Sequence, residues 1–348
     1  MNQPHEVSYD PFAQPSAAPK LRPQEAECNS RSELVEEGLP FRHYFFVINP
    51  ASGSANVEKL QGYAEEKAQK LGKKVGFHFL QLGDDLPRIM QDAARSGAEV
   101  FVAAGGDGTL AAVATEAYRL GRTFGVIPSG TANVFAAEHL IPKGIEDAVD
   151  LVYEDGSVEP VDLVMVEGKA FLCHISIGVY SWITTTTPQA AKKKFGRIAY
   201  IWNAVKLVFK EKIWTFELDV DDRRMMRQAS TIMVTNAGSM GATGLRWGEN
   251  ISTHDGVMEI CIFRARSIRH YLSLFWSLLT KKPHHPMREY IYVKRQASIK
   301  GPRHLPIRAD GEEIGKGTFA LTVEKHGLGV LMPPNARETR ASPRVFDF

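Results

Sequence analysis

The chain has 348 residues, with 42 Lys and Arg against 40 Asp and Glu, a formal net charge of +2, and 44% hydrophobic and 24% charged residues. Those are the proportions of an ordinary globular protein, and the length is the natural size of two domains. Three unpatterned cysteines (Cys28, Cys173, Cys261) fit a reducing interior and argue against both a disulfide framework and a zinc site.

The opening residues MNQPHEVSYD lack the apolar core of a secretion signal, and no apolar run approaches the ~20 residues of a membrane span. Residues 1–40 carry prolines at 4, 11, 15, 19, 23 and 40 and read as a disordered arm. Order is expected from residue 41. An apolar strand over 44–48 runs into Asn49-Pro50-Ala51-Ser52-Gly53. Helical spacing follows over 55–71, a strand over 75–82, and a helix over 86–96 with Pro87 in its first turn.

Residues 100–104 (VFVAA) form a buried-strand pattern that passes directly into Gly105-Gly106-Asp107-Gly108-Thr109, with good helix formers from Leu110 onward. Glycines let the backbone turn sharply and let a bulky anion approach its N–H groups, and a helix opening at Thr109 would add its own unpaired donors. This is a phosphate cradle without the lysine of a P-loop. A fourth strand over 124–127 leads into Pro128-Ser129-Gly130-Thr131-Ala132-Asn133 and a helix through Phe135, Ala136 and Ala137. The alternation predicts a Rossmann-like parallel sheet with helices on both faces. Its three polar loops would all lie at carboxyl ends of strands, where they can converge on one ligand.

From residue 159 the pattern becomes one of short strands: 160–167, 169–177, 215–220, 230–235, 257–263, 290–297, 305–308 and 319–323, with Asp221-Asp222 as a hairpin turn. That series predicts an antiparallel β-sandwich, so the fold class is α/β with a second, β-rich domain. The expected organisation is arm 1–40, nucleotide-binding domain 41–158, β-rich domain 159–325, a segment 326–334 returning to the first domain, and a disordered tail 335–348. Two segments, 191–212 and 268–282, mix aromatic residues with Lys and Arg. They suit either an interfacial helix or a helix covering a sheet.

The three loops in this order resemble the diacylglycerol kinase catalytic family of lipid kinases, which includes soluble bacterial diacylglycerol kinases and sphingosine and ceramide kinases. Supporting pieces are Phe195-Gly196-Arg197-Ile198-Ala199-Tyr200, His254-Asp255-Gly256-Val257-Met258 and Asp310-Gly311-Glu312. The resemblance implies ATP- and Mg²⁺-dependent phosphorylation of a lipid hydroxyl, that of diacylglycerol or a sphingoid- or ceramide-type lipid, with the active site in the cleft between the two domains and 159–325 as the lipid-acceptor domain. It assigns nucleotide contacts to Asn49, Pro50, Ser52, Gly53, Gly105, Gly106, Asp107, Gly108, Thr109, Gly130, Thr131 and Asn133. It places a magnesium site at Asp255 and the main chain of Met258, and catalysis at Glu312 as base with Asp310 and Asp107. A lipid substrate at a membrane surface, cytoplasmic residence with peripheral membrane contact, an optional homodimer and no nucleic-acid partner complete the expectation. Leu110-Ala111-Ala112-Val113 departs from the x-Asn-Glu-Val that many members carry after the glycine loop. Two alternatives stay open: an NAD kinase-like enzyme with a soluble acceptor, and a catalytically silent nucleotide- or lipid-binding homologue.

Overall fold

In a computed structural model, the structure describes residues 39–53, 56–181, 213–241, 245–248, 250–280 and 284–334. All of them fall in one structural unit. The segment 191–212, with its Phe195–Tyr200 element, lies outside the described residues, as do Cys28, residues 1–38 and the tail from 335.

Strands and helices alternate first: β1 (His43–Ile48), α1 (Val57–Lys70), β2 (Lys74–Phe79), α2 (Leu86–Arg95), β3 (Val100–Gly105), α3 (Asp107–Arg119), β4 (Thr123–Pro128), α4 (Val134–Glu138) and α5 (Ile145–Asp150). The four strands are parallel, in the order β2-β1-β3-β4. Successive side chains of a strand point to opposite faces, and here both faces are covered. Val100, Val102 and Ala104 of β3 pack with Leu60 and Ala64 of α1 and Val149 of α5. Phe101 and Ala103 pack with Met90 of α2 and Leu110 and Val113 of α3 on the other side. That is why every residue of β3 is buried, and why a continuous apolar run and not an alternating one marks it in the sequence.

The second half is built of β5 (Ser157–Val166), β6 (Lys169–Phe171), β7 (His174–Gly178), β8 (Trp214–Val220), β9 (Arg223–Ala229), β10 (Thr231–Thr235), β11 (Met258–Phe263), α6 (Ile268–Leu279), β12 (Arg288–Val293), β13 (Gln296–Lys300), β14 (Pro306–Ala309), β15 (Glu312–Lys316) and β16 (Thr318–Met332). One antiparallel sheet has the order β12-β11-β10-β7-β14-β15. The other strands extend the first sheet. β16 lies beside β4 in parallel at Val330 and Phe124, and the order continues antiparallel through β13, β8 and β9, with β5 and β6 branching from β16. A sandwich core of Ile175, Ile177, Phe216, Leu218, Ile232, Ile260, Ile299 and Leu321 fills the space between the two sheets.

The structure corrects several element boundaries. Residues 169–177 are two strands, broken where Leu172, Cys173 and His174 turn their N–H groups to the Asp310 carboxylate. Residues 290–297 also divide, because the N–H groups of Lys294, Arg295 and Gln296 are drawn to Asp221. Asp221 and Asp222 form the expected hairpin turn, both with positive φ. The helix α5 and the π-helical turn Leu151–Asp155 after it have no counterpart in the sequence reading.

Candidate active site

The glycine loop is shorter than its sequence suggests. β3 ends at Gly105, Gly106 is the N-cap of α3 with extended backbone (φ −90°, ψ 178°), and the helix starts at Asp107 rather than Thr109. No side chain caps α3. Its first-turn N–H groups and the positive end of its dipole are therefore offered to the space above the sheet.

All three loops meet there. Asn49 Nδ2 donates to Thr109 Oγ1 at 2.9 Å, and the Asn49 carboxamide oxygen accepts from Ala51 N at 3.0 Å, so one side chain ties the first loop to the second. Ser52 and Ser129 share a hydroxyl–hydroxyl hydrogen bond of 2.7 Å, tying the first to the third. Ser129 N donates to Gly105 O at 3.0 Å, and Gly130 packs so closely that a Cβ there would stand 2.5 Å from Gly106 Cα. Gly53, at φ +57°, fits only without a side chain, since its Cβ would meet Ser129 O at 2.1 Å. Asn133 takes the left-handed conformation (φ 46°) at the start of α4 and donates from Nδ2 to Gly130 O at 2.9 Å. Its Oδ1 is buried without a hydrogen-bond partner. Pro50 and Thr131 are both exposed.

Asp107 is the first residue of α3, and its Oδ1 accepts from Phe135 N at 3.2 Å. It thereby couples the start of α3 to the start of α4. Burial pushes its pKa up, against the pull of its backbone hydrogen bonds.

The β-rich half delivers two further carboxylates. Glu312 is exposed at the first position of β15, not in a turn, and its Oε1 lies 2.9 Å from where a Cβ on Gly108 would be. A side chain from the antiparallel sheet thus lies on the first turn of α3. Asp310 behaves differently. It is buried, with φ 45°, and its two oxygens accept from Leu172 N (2.6 Å), Cys173 N (3.1 Å) and His174 N (2.9 Å). Burial pushes its pKa up to about 7 even though those three donors act to lower it, and nearby Asp107 adds to the rise. Its role in the structure is to hold the β6–β7 junction.

Asp255 and Met258 are not part of this cluster. Asp255 is exposed and accepts from Val257 N at 3.0 Å within its own turn, while Met258 is a buried residue opening β11. Gly256 N donates to Asp162 at 2.6 Å, and the His254 ring meets that of His139 edge-on at 5.6 Å. His139 is the C-cap of α4, so this turn lies at the far end of the helix whose start borders the loops. Among the described residues no group of three or more His, Cys, Asp or Glu side chains forms a ready metal site.

Comparison with known proteins bears on this arrangement directly. Residues 43–166 match the model of the diacylglycerol kinase catalytic domain, and residues 173–332 match that of the YegS C-terminal NAD kinase beta sandwich-like domain. The chain belongs to the diacylglycerol kinase catalytic-domain family. Among curated relatives, a diacylglycerol kinase of Bacillus subtilis is 25% identical over 84% of this chain and 97% of its own length. A Cronobacter sakazakii protein named "Probable lipid kinase YegS-like" is 27% identical over 72% of this chain and 84% of its own. A solved structure of a diacylglycerol kinase from Bacillus anthracis superposes with a TM-score of 0.70 at 19% identity, covering 85% of this chain and 99% of that one, and so shares its fold. Family membership makes the chain a phosphotransferase of the lipid kinase kind.

Several residues that organise this family member's site escaped the sequence reading. Ser129 completes the hydroxyl pair with Ser52. Glu138, at the end of α4, is 3% exposed and receives Arg246 in a two-pronged ion pair at 3.1 Å per contact, with Ser239 N at 2.6 Å. That pair fastens α4 to the β-rich half, and removing one partner of such a buried pair costs about 3–5 kcal/mol. No local spacing marks it, since the partners are 108 residues apart. The departure at Ala111-Ala112 is half internal: Ala111 is buried in α3 while Ala112 is exposed.

Proposed function

We propose that this chain is an ATP- and Mg²⁺-dependent lipid kinase whose acceptor is the hydroxyl of diacylglycerol or of a sphingoid- or ceramide-type lipid. One observation carries the reading: the Glu312 carboxylate stands over Gly108, beside the uncapped start of α3. A phosphate cradle and a carboxylate from another sheet, brought face to face, are what phosphoryl transfer to an alcohol requires. Charge is neutralised on one side and a proton is accepted on the other.

The loop backbone at Gly105–Thr109 binds and orients the triphosphate through the N–H groups of an uncapped helix start. Gly53, Gly106 and Gly130 keep the loops close enough to form a single cradle. The acceptor oxygen bonds to the γ-phosphorus as the bond to the β,γ-bridging oxygen breaks. ADP leaves, and the acceptor's proton passes to a Glu312 oxygen. Mg²⁺, when bound with the nucleotide, neutralises charge on the phosphates, and Asp107 is the carboxylate of the loops able to hold it or its waters. An ion held by Asp255 and the Met258 main chain would act on the fold and not on the phosphates, given where that turn lies. Asp310 holds Leu172–His174 in place, and two residues later the chain presents Glu312.

The test is transfer of labelled γ-phosphate from Mg-ATP to a panel of lipids in anionic mixed micelles, with NAD as a soluble control. Label on diacylglycerol, a sphingoid base or ceramide is the expected result. Label on NAD alone, or none anywhere from protein that still binds ATP, overturns the proposal.

A further inference from the structure

Helix α6 lies on the outer face of the antiparallel sheet, where Leu274 packs with Met233, Cys261 and Phe263 and Ser277 is also buried. Its opposite side is open. Leu272, Phe275, Trp276 and Leu279 are 62%, 47%, 64% and 45% exposed. Their spacing of three, four and seven residues places them within an arc of about 100° on one helix face. Other exposed large apolar residues, such as Leu82, Met226 and Tyr292, stand singly, as surface hydrophobics ordinarily do. The inner face is anchored in a core cluster, so the helix cannot roll over to hide this stripe.

The charge around it selects the occupant. From residue 260 to residue 288 the sequence contains six Lys and Arg and no Asp or Glu. Arg266 and Arg269 are exposed at the start of α6, and Arg264 behind them is paired to Glu289. A second copy of the chain meeting this face symmetrically would set cations against cations. An anionic bilayer surface satisfies both features. Its acyl boundary takes the apolar stripe, its headgroups take the arginines, and a tryptophan is suited to the zone between them. At twelve residues α6 is far too short to span a bilayer of roughly 30 Å, so it would lie in the plane of the surface.

We propose that α6 is the face by which this protein docks on anionic membranes, entering the interface with Leu272, Phe275, Trp276 and Leu279. The proposal rests on the lipid kinase reading for its purpose, since a kinase of membrane lipids must reach acceptors that do not leave the bilayer. Glu312 and α6 belong to the same antiparallel sheet, Glu312 through β15 and α6 through its packing on β10 and β11.

The experiment is co-sedimentation of the full chain with phosphatidylcholine vesicles that do or do not contain phosphatidylglycerol. It is paired with kinase assays on vesicle-borne diacylglycerol and on a short-chain, freely dissolved one. The wild type should sediment with the anionic vesicles. Phe275→Ser/Trp276→Ser should bind them roughly 10- to 100-fold more weakly, because two large aromatic side chains lose their apolar burial. Arg266→Glu/Arg269→Glu should lose binding chiefly at low salt. Both variants should phosphorylate the dissolved acceptor at the wild-type rate, which also reports that they are folded. Wild-type protein that stays in the supernatant, or variants that bind as wild type does, overturns the docking face. So does a wild-type dimer that the aromatic double variant converts to monomer. A wild type that binds vesicles through these residues but labels neither acceptor sinks the kinase reading and supports the docking face alone.

Discussion

Helices α1 and α3 are similar in length, lie on opposite faces of the same parallel sheet and begin in different ways. Asn56 caps α1 by accepting from Lys59 N at 2.9 Å, as Asp85 caps α2 from Arg88 N at 3.2 Å. At the corresponding position α3 has Gly106 and no side-chain acceptor. A missing cap costs about 0.5–2 kcal/mol, so a helix that omits it forgoes stability the chain readily obtains elsewhere. Missing caps are not by themselves sites: α5 and α6 also lack them. What sets α3 apart is that three loops and a foreign carboxylate converge on its open end. There the donors are left for a ligand, and the fold is made slightly less stable where it functions.

The largest effect is expected at the carboxylate that faces this open end. Glu312→Gln keeps the size of the side chain and removes its capacity to take a proton. Turnover on a lipid acceptor should fall by about 10²- to 10⁴-fold, the range lost with a general base. Glu312 is exposed, so the thermal midpoint should stay where it is, and ATP binding by calorimetry should be retained. A variant with near wild-type turnover would remove Glu312 from the chemistry.

Asp310 sharpens the contrast, because its oxygens are met by backbone donors, whereas the donors at the start of α3 have no capping acceptor. Its pKa stands at about 7 in the fold, above the ordinary value of 3.8. Below that lower value the carboxyl is neutral in both the folded and unfolded chain. As pH rises from there through 7, the unfolded chain loses the proton first, and stability falls until the folded group has ionised as well. Asp310→Asn cannot titrate. Its deficit relative to wild type should therefore shrink by about 2–4 kcal/mol between pH 4 and pH 8 and then level off. Denaturant melts of both proteins across that range would measure it, and a deficit that grows with pH would contradict the assignment.

The same comparison explains what could be read from the sequence. The three loops were legible because each needs glycine or a small polar residue at fixed offsets after an apolar strand, and all of that information is local. Asp310 and Glu312 were recognisable as a short motif, yet their division of labour was not. The three amides that saturate Asp310 are 136 to 138 residues away, and Gly108 lies on helix α3 of the other half. The Glu138–Arg246 pair and the continuity of one sheet from β2 to β9 through β16 are likewise long-range facts with no local trace. β16 itself read as a strand only over 319–323. Its later residues Lys325, His326 and Gly327 fall at a register break and interrupt the alternation.

Glycines divide as the helix ends do. Gly130→Ala would drive a methyl group to 2.5 Å from Gly106 Cα, a backbone contact with nowhere to go. A loss of about 1–3 kcal/mol in unfolding free energy is expected, with nucleotide affinity falling further than stability does, since the cradle itself is wedged open. Equal nucleotide affinity in the variant would mean that the second and third loops need not touch so closely for binding.

The smallest effects should come from α1, where changes register in stability alone. Gly62 is an exposed glycine in the middle of α1, and a Cβ there would meet nothing within 4 Å. Alanine loses less backbone freedom on folding, so Gly62→Ala should stabilise by about 0.5–1 kcal/mol. Asn56→Ala, which removes the cap, should destabilise by about 1 kcal/mol. The two changes lie six residues apart on one helix, so the double variant should come close to wild-type stability. Turnover should be unaltered in all three proteins. If uncapping α1 slowed catalysis as well, the division between helices that hold the fold and the helix that holds the ligand would not stand. The first loop, which leads from Asn49 into α1, would then have to be counted as part of the moving machinery.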